Sequence, residues 1–448
     1  MQINLKDIKL SKSTLHEFAL AMLSAESDSL KEVSLNEFFG NKKRHTSESS
    51  FINAYEHKKL QYVWIEFFKD KGWTEDKAVS FGYLSELPPT TFEIEVSPDK
   101  FIKGYKDAVL FYSKKDGSKL CIEISPTPRG GFYYTFYATL ENDPIFQDLT
   151  KLADEKNLYK GKKIDCDCRF LKLDDISWED VILDDGIEEV IKSNIVDSFK
   201  MRDTLKKFSL PVKRGIILHG PPGTGKTKIC KCLAKDAEYS VLYALPADFS
   251  QNNGGIRRVT DMAKDLAPCL LIIEDLDWIA QHRGSGNAPF VMELMNQIDG
   301  IESFGDIITL GTTNCLSELE NAIKNRPGRF DRIIKIDVPT EKSRKKMIEK
   351  FTNNFILDKD VDTNKLSSVL DKLTGAHVFD LCTTAALFAV KDDSIINEKL
   401  VIKKKHFDEA IKEVKDKDYS SYAELQGKQK GFGFSQASNL LMDDYLEL

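Results

Sequence analysis

The chain has 448 residues, of which 41% are hydrophobic, and a formal net charge of −7. A chain of this length holds about two to four domains, and the apolar fraction supplies a sizeable core and excludes wholesale disorder. The acidic balance argues against a protein that coats DNA or an anionic membrane non-specifically.

The eight cysteines, at 121, 166, 168, 230, 232, 269, 315 and 382, are scattered, which is not a disulfide framework and suits a reducing cytosol. Cys166/Cys168 and Cys230/Cys232 are the close pairs, and neither has a second pair at zinc-site spacing. No apolar run reaches about 18 residues, so no membrane span is expected. The opening MQINLKDIKLSKSTLHEF has charges throughout and no apolar stretch of a secretory signal, so the expected location is cytoplasmic.

In chain order, residues 1 to about 60 read as mostly helical and polar, with LHEFALAML as the clearest amphipathic piece. From about 61 to 150 the character changes. FEIEV, AVLFYS, KLCIEIS and GFYYTFYATL are alternating or rich in aromatic and β-branched residues, with Asp-Gly and Gly-Gly between them, and they predict antiparallel strands and hairpins. KLADEKNLYKGKKID reads as helix and linker, which closes an α+β N-terminal domain over 1–165. Over 166–340 strands and helices alternate. The strands are GIILH (215–219), VLYAL (241–245), LLII (270–273), IITLGTT (307–313) and IIKIDV (333–338), with KTKICKCLAKDA, IRRVTDMAKDL and FVMELMNQID as helices between them. Such alternation predicts a parallel sheet covered on both faces, an α/β fold. A small helical domain follows over 341–415, built from EKSRKKMIEKF, HVFDLCTTAALFAV and HFDEAIKEVK, and a polar tail over 416–448.

The loop after the first strand of the α/β part is GPPGTGKT, residues 220 to 227, which fits G-x-x-x-x-G-K-[ST]. Gly220, Gly223 and Gly225, with Pro221, Pro222 and Thr224, let several backbone N–H groups face one phosphate chain. The helix that follows adds the partial positive charge of its N-terminus. Lys226 can reach the β- and γ-phosphates, and Thr227 offers a hydroxyl to Mg²⁺. Further on, CLLIIEDLDW runs a buried strand into Glu274, Asp275 and Asp277, which is how a parallel sheet delivers carboxylates to the ends of its strands.

From about Trp178 to Val414 the sequence resembles the AAA family of ATPases. The residues that carry the resemblance are ISWEDVILDDGIEEV, GPPGTGKT, APCLLIIEDLDW, IITLGTTN, RPGRFDR (326–332) and LTGAHVFDLCTTAALFA. It implies an AAA+ P-loop large domain followed by a helical lid, with ATP and Mg²⁺ as ligands. By the same resemblance, Asp185, Gly186 and Ile187 lie near the adenine, and Gly375 and Ala376 face the nucleotide. Glu274 stands where the family usually has the Asp that binds Mg²⁺, and Asp275 where it has the Glu that orients the attacking water. Asn314 takes the place of the polar sensor, and Arg326 and Arg329 reach into the site of the next subunit of a closed ring of six or seven. The Glu-then-Asp order, with KRGIILHGPPGTGKT, resembles the mitochondrial AAA chaperone that exports a folded iron–sulfur protein, and its bacterial and viral relatives. ALPADFSQNNGG falls where many relatives place a chain-gripping pore loop, with Phe249 either as its aromatic or as a residue packing that loop.

Three other features are set aside. HEFAL starts like H-E-x-x-H, but Leu20 replaces the second ligand. DYLEL has Glu447 where a proteasome-docking tail needs Tyr. The short basic runs at 42–45, 344–346 and 403–405 read as solvated faces. The expected function is a ring-forming ATPase that remodels, translocates or disassembles a protein partner chosen by its N-terminal domain. The alternatives are an ATP-controlled assembly scaffold or sensor with slow hydrolysis, and a DNA-associated remodeller.

Overall fold

The computed structural model describes residues 27–40, 42–82, 85–128, 130–139, 144–208, 214–249, 255–281, 306–316, 319 and 332–416. They fall into two compact units. One draws on Met1–Ile176, Lys192–Leu218 and Cys230–Ile334, and the other on Ser177–Ile191, His219–Ile229 and Lys335–Leu448. LHEFALAML, FVMELMNQID and the tail lie outside the described residues. Among those described, no helix is long and apolar enough to cross a membrane.

The first unit contains two sheets. One is seven-stranded, of β1 (His45–Asn53), β2 (Thr74–Phe81), β3 (Glu86–Leu87), β4 (Thr90–Ser97), β5 (Lys100–Ser113), β6 (Lys119–Pro126) and β7 (Gly131–Ala138). Its order is β1-β7-β6-β5-β2-β3, with β4 paired to β5. The pairings are antiparallel, as the hairpin signals predict. Side chains alternate across the pleat. On β5, Ala108, Leu110 and Tyr112 cluster with Leu60, Trp64 and Phe68 of the helix Ala54–Asp70 and with Leu149 of the helix Ile145–Glu155. Val109 and Phe111 join Leu35 and Phe39 of the helix over 27–39. Strand β1 was not expected. Its sequence, HTSESSFIN, is mostly polar, and it is held in place by pairing with the aromatic β7, Ile52 opposite Phe132.

The second sheet has six strands: β8 (Lys163–Asp165), β9 (Arg214–His219), β10 (Ser240–Ala244), β11 (Cys269–Ile273), β12 (Ile307–Thr313) and β13 (Arg332–Lys335), in the order β13-β9-β12-β11-β10-β8. β8, β10, β11 and β12 run parallel. Every residue of β10, β11 and β12 is buried, which is why these strands read as largely apolar runs instead of alternating ones, with Ser240, Thr309, Thr312 and Thr313 as buried hydroxyls among them. Val259, Met262 and Leu266, from the helix Gly255–Asp265 and its end, cover Leu242, Leu271 and Ile273. The sequence places 151–165 as helix and linker. The helix ends at Glu155, and β8 adds an edge strand to the parallel sheet, too short to show a pattern, with Ile164 its one buried residue. β13 is shorter than IIKIDV suggests.

The two sheets of this unit are tied together by a polar cluster. Lys59, 1% exposed, pairs with Glu56 (3.1 Å), Asp154 (2.6 Å) and Asp265 (2.8 Å). Asp265 also accepts from the Tyr55 hydroxyl (2.6 Å) and the Asn157 amide (2.8 Å).

The second unit has the three expected helices, Glu341–Phe351, Gly375–Lys391 and Lys404–Asp416, and a short one that was not expected, Thr363–Val369, around a core that includes Ile348, Val378, Leu381, Ala385, Phe407 and Ala410. It also has a small three-stranded sheet that the helical expectation omitted, of β14 (Ile356–Leu357), β15 (Ile395–Ile396) and β16 (Lys399–Ile402). These strands are only two to four residues long, below what periodicity can signal.

Candidate functional site

The residues singled out in the sequence fall into two groups, one in each unit. The first is the glycine-rich loop. Ile216, Ile217 and Leu218 bury β9, and the chain then turns through 220–225 into the helix Lys226–Asp236. Gly220 is required by close approach, because a Cβ there would lie 1.8 Å from the Ile336 carbonyl oxygen. Gly225 has φ 95, and a Cβ on it would meet no heavy atom within 4 Å. That open backbone at the first turn of a helix is the cradle an anionic phosphate chain needs, so the loop fits the group its motif implies. Lys226, 6% exposed, donates to the Gly220 and Pro221 carbonyls (2.8 and 2.9 Å). Its ammonium therefore lies inside the loop, curled onto the backbone. The Thr224 hydroxyl donates to the Pro221 carbonyl (2.9 Å), and Thr227 is exposed.

Beside the loop is a small cavity with Ile182, Leu183, Ile187, Ile336, Met347 and Gly375 in its wall and Thr224 at its edge. Of the lead-in residues predicted to approach the nucleotide, Ile187 lines the cavity. The Asp185 carboxylate instead pairs with Lys342 at 2.6 Å on the surface, which holds it below the usual carboxylate range. The neighbouring Asp184 lines the cavity and accepts from the Thr340 and Ser343 hydroxyls (2.7 and 2.6 Å). Gly186, at φ 84, lets the chain turn into the helix that starts at Ile187. Ala376 donates its backbone N–H to the Gly223 carbonyl (3.1 Å).

The second group leaves the ends of β11 and β12. Glu274 is 8% exposed, and its N–H donates to the Ala244 carbonyl of β10 (3.1 Å). Tyr243 lies beside it on β10, and burial, then the Cys230 thiol and the Glu274 carboxylate, push its phenol well above the ordinary value. Asp275 has φ 49, a left-handed conformation that costs a non-glycine residue about 1 kcal/mol or more. Two contacts with the β12 side bear on it. Its N–H donates to the hydroxyl of buried Thr312 (3.0 Å), and the Asn314 amide donates to its carboxylate (3.4 Å). The Asn314 N–H donates in turn to Asp277 (3.1 Å).

Asp275 and Asn314, 39 positions apart in the sequence, are thus brought together. Thr312, Tyr243, Asp184, Ile336 and Met347 were not anticipated. Asp277 had been noticed only as a third carboxylate after the strand. Thr312 alone carried a visible signal, a hydroxyl in the GTT that ends a largely apolar strand. Arg326 and Arg329 lie outside the described residues. Phe249 is 1% exposed and packed in the core of the parallel sheet, the packing alternative of the two raised above.

Residues 216–338 match the family described as ATPase family associated with various cellular activities (AAA). The chain carries an AAA ATPase domain. Members of this family bind ATP and use Mg²⁺. The chain is 32% identical over 232 residues to a proteasome-activating nucleotidase of Archaeoglobus fulgidus, covering 49% of this chain and 58% of that one. It is 30% identical over 234 residues to a protein of the same name from Methanothermobacter thermautotrophicus, covering 49% and 56%. It is also 32% identical over 250 residues to the ATP-dependent zinc metalloprotease FtsH 2 of a Thermoanaerobacter species, covering 53% and 47%. The chain therefore spans about half the length of these curated relatives.

Proposed function

We propose that this chain is a ring-forming AAA ATPase that couples ATP hydrolysis to remodelling, translocation or disassembly of a protein partner engaged by the domain over 1–165. The large domain over 166–340 and the lid over 341–415 would be the engine. The carrying observation is the Asp275–Asn314 pair, fixed from Thr312 at the ends of adjacent strands. In-line attack needs a water oriented at the γ-phosphate and little other covalent help from the protein. Asp275 would accept that water's proton, and Asn314 would orient the carboxylate and the water.

Gly220 to Thr227 would hold the phosphates. Ile187, in the wall of the small cavity beside the loop, would approach the adenine. Lys226 would leave the loop carbonyls for the phosphates, exchanging two neutral acceptors for charged ones. Thr227 and Glu274 would hold Mg²⁺, which supplies neutralisation of the phosphate charge. Arg326 and Arg329 would act on the neighbouring subunit's nucleotide. The Glu274–Asp275 order supports a kinship, finer than the family, with the mitochondrial exporter of a folded iron–sulfur protein. The same order favours a second reading, a nucleotide-controlled scaffold with slow hydrolysis, because Asp275 is one methylene shorter than the usual Glu.

ATP turnover per subunit, measured across a wide range of protein concentration, tests the proposal. It is expected to rise with concentration and then reach a plateau. ATP bound without turnover at every concentration would leave the scaffold reading standing. High turnover independent of concentration would sink the shared-site ring.

A further inference from the structure

The helix Gly375–Lys391 meets the glycine-rich loop through its first residues. The Ala376 N–H donates to the Gly223 carbonyl at 3.1 Å. A Cβ placed on Gly223 would lie 2.7 Å from the Ala376 Cβ and 2.8 Å from the Thr374 hydroxyl oxygen, so loop and helix start are in close contact. The orientation of that helix start depends on its cap. Thr374 and His377 form a reciprocal capping box, with His377 in the position where Glu or Gln usually stands. The Thr374 N–H donates to His377 Nδ1 at 3.1 Å, and the Thr374 hydroxyl lies 3.0 Å from the same nitrogen. Nδ1 must therefore be an acceptor, which requires the neutral ring with its proton on Nε2. A protonated ring carries hydrogen on both nitrogens and cannot accept. It would also place a positive charge at the positive end of a helix.

We propose that His377 is a positioning residue for the nucleotide site: as a neutral acceptor it closes the cap that holds Gly375 and Ala376 against the phosphate loop, and its protonation opens the cap and weakens nucleotide binding. Glu or Gln in this position would cap without titrating near neutrality, so the histidine makes the contact acid-sensitive. Burial holds the imidazole below its ordinary value, and Asp380, one turn further on, is the charged group acting in the other direction. The folded cap favours the neutral form, so its contribution is whole above about pH 6.5 and is lost as the pH falls through the lower folded value.

The inference rests on residues 220–227 being the phosphate loop, and the test separates the two. The affinity for ADP with Mg²⁺ is measured for wild type, His377→Gln and His377→Glu at about pH 7.5 and about pH 5. ADP's own phosphate titration acts on all three proteins equally. Wild type is expected to lose about fivefold more affinity on acidification than either variant, the ratio that corresponds to losing one helix cap. Equal pH dependence in all three proteins overturns the role of His377 while leaving the phosphate loop intact. No ADP binding by any of them at either pH overturns the phosphate-loop reading together with this one.

Discussion

Asp275 adopts a left-handed backbone conformation, uncommon outside glycine though better tolerated by Asp than by most residues, and a hydrogen bond from its N–H to Thr312 ties it there. Strain of this kind persists where surrounding contacts over-determine it, and it concentrates where a side chain must be aimed. The aiming can be separated from the chemistry. In Thr312→Val the shape and burial at position 312 are nearly kept, but the acceptor for the Asp275 N–H is gone. The carboxylate then loses its fixed direction while the phosphate loop is untouched. We expect kcat to fall about tenfold to a hundredfold, the scale of a small misplacement of a reacting group, with KM for ATP little changed. In Asp275→Asn, which removes the proposed proton acceptor itself, the loss should be about a hundredfold or more. A rise in KM with kcat intact in Thr312→Val would show that the threonine serves binding instead of aim.

At the scale of elements, the Lys59 cluster is where the antiparallel sheet and the parallel sheet of the first unit depend on each other. Burial alone would lower the lysine's pKa, yet the carboxylates of Glu56, Asp154 and Asp265 outweigh it and raise the value. Lys59→Ala leaves those carboxylates facing one another around a cavity. We expect a loss of about 1–2 kcal/mol, because the carboxylates left behind, 31, 53 and 29% exposed, are partly taken up by water once the buried lysine is gone. Chemical denaturation measures it, and a change under about 0.5 kcal/mol, the range of ordinary surface substitutions, would mean that the carboxylates are solvated without the lysine. Nothing in the sequence announces this cluster, because Lys59 and Asp265 lie 206 positions apart and each reads as a helix surface residue. The buried strands β10, β11 and β12 were legible because most of their residues are apolar, and the glycine-rich loop because glycine spacing and Lys-Thr are local. β1 and β8 were not, since one is polar and the other has three residues, and their pairing is decided by partners far along the chain. The Asp184–Asp185 outcome has the same cause. Adjacent carboxylates are indistinguishable in sequence, and Lys342, Thr340 and Ser343 decide which one faces the surface and which the cavity.

At the scale of the whole molecule, the ring proposal makes the active site a property of two chains. In that proposal Lys226 would serve its own subunit's nucleotide, and Arg326 and Arg329 the neighbour's. A Lys226→Ala subunit lacks a working site but keeps its arginines. A subunit carrying Arg326→Ala and Arg329→Ala keeps its site but offers nothing to the next one. Each alone should turn over ATP about a thousandfold more slowly than wild type, since an arginine supplied in trans is worth that much or more. Mixed in equal amounts and allowed to exchange, half the subunits carry an intact site, and half of those have a neighbour with intact arginines. A closed ring with one kind of interface should then recover about a quarter of wild-type turnover per subunit. Steady-state hydrolysis after mixing measures the recovery directly. A mixture no faster than the two proteins assayed apart would place both arginines in their own subunit, and the closed ring would lose its mechanistic reason.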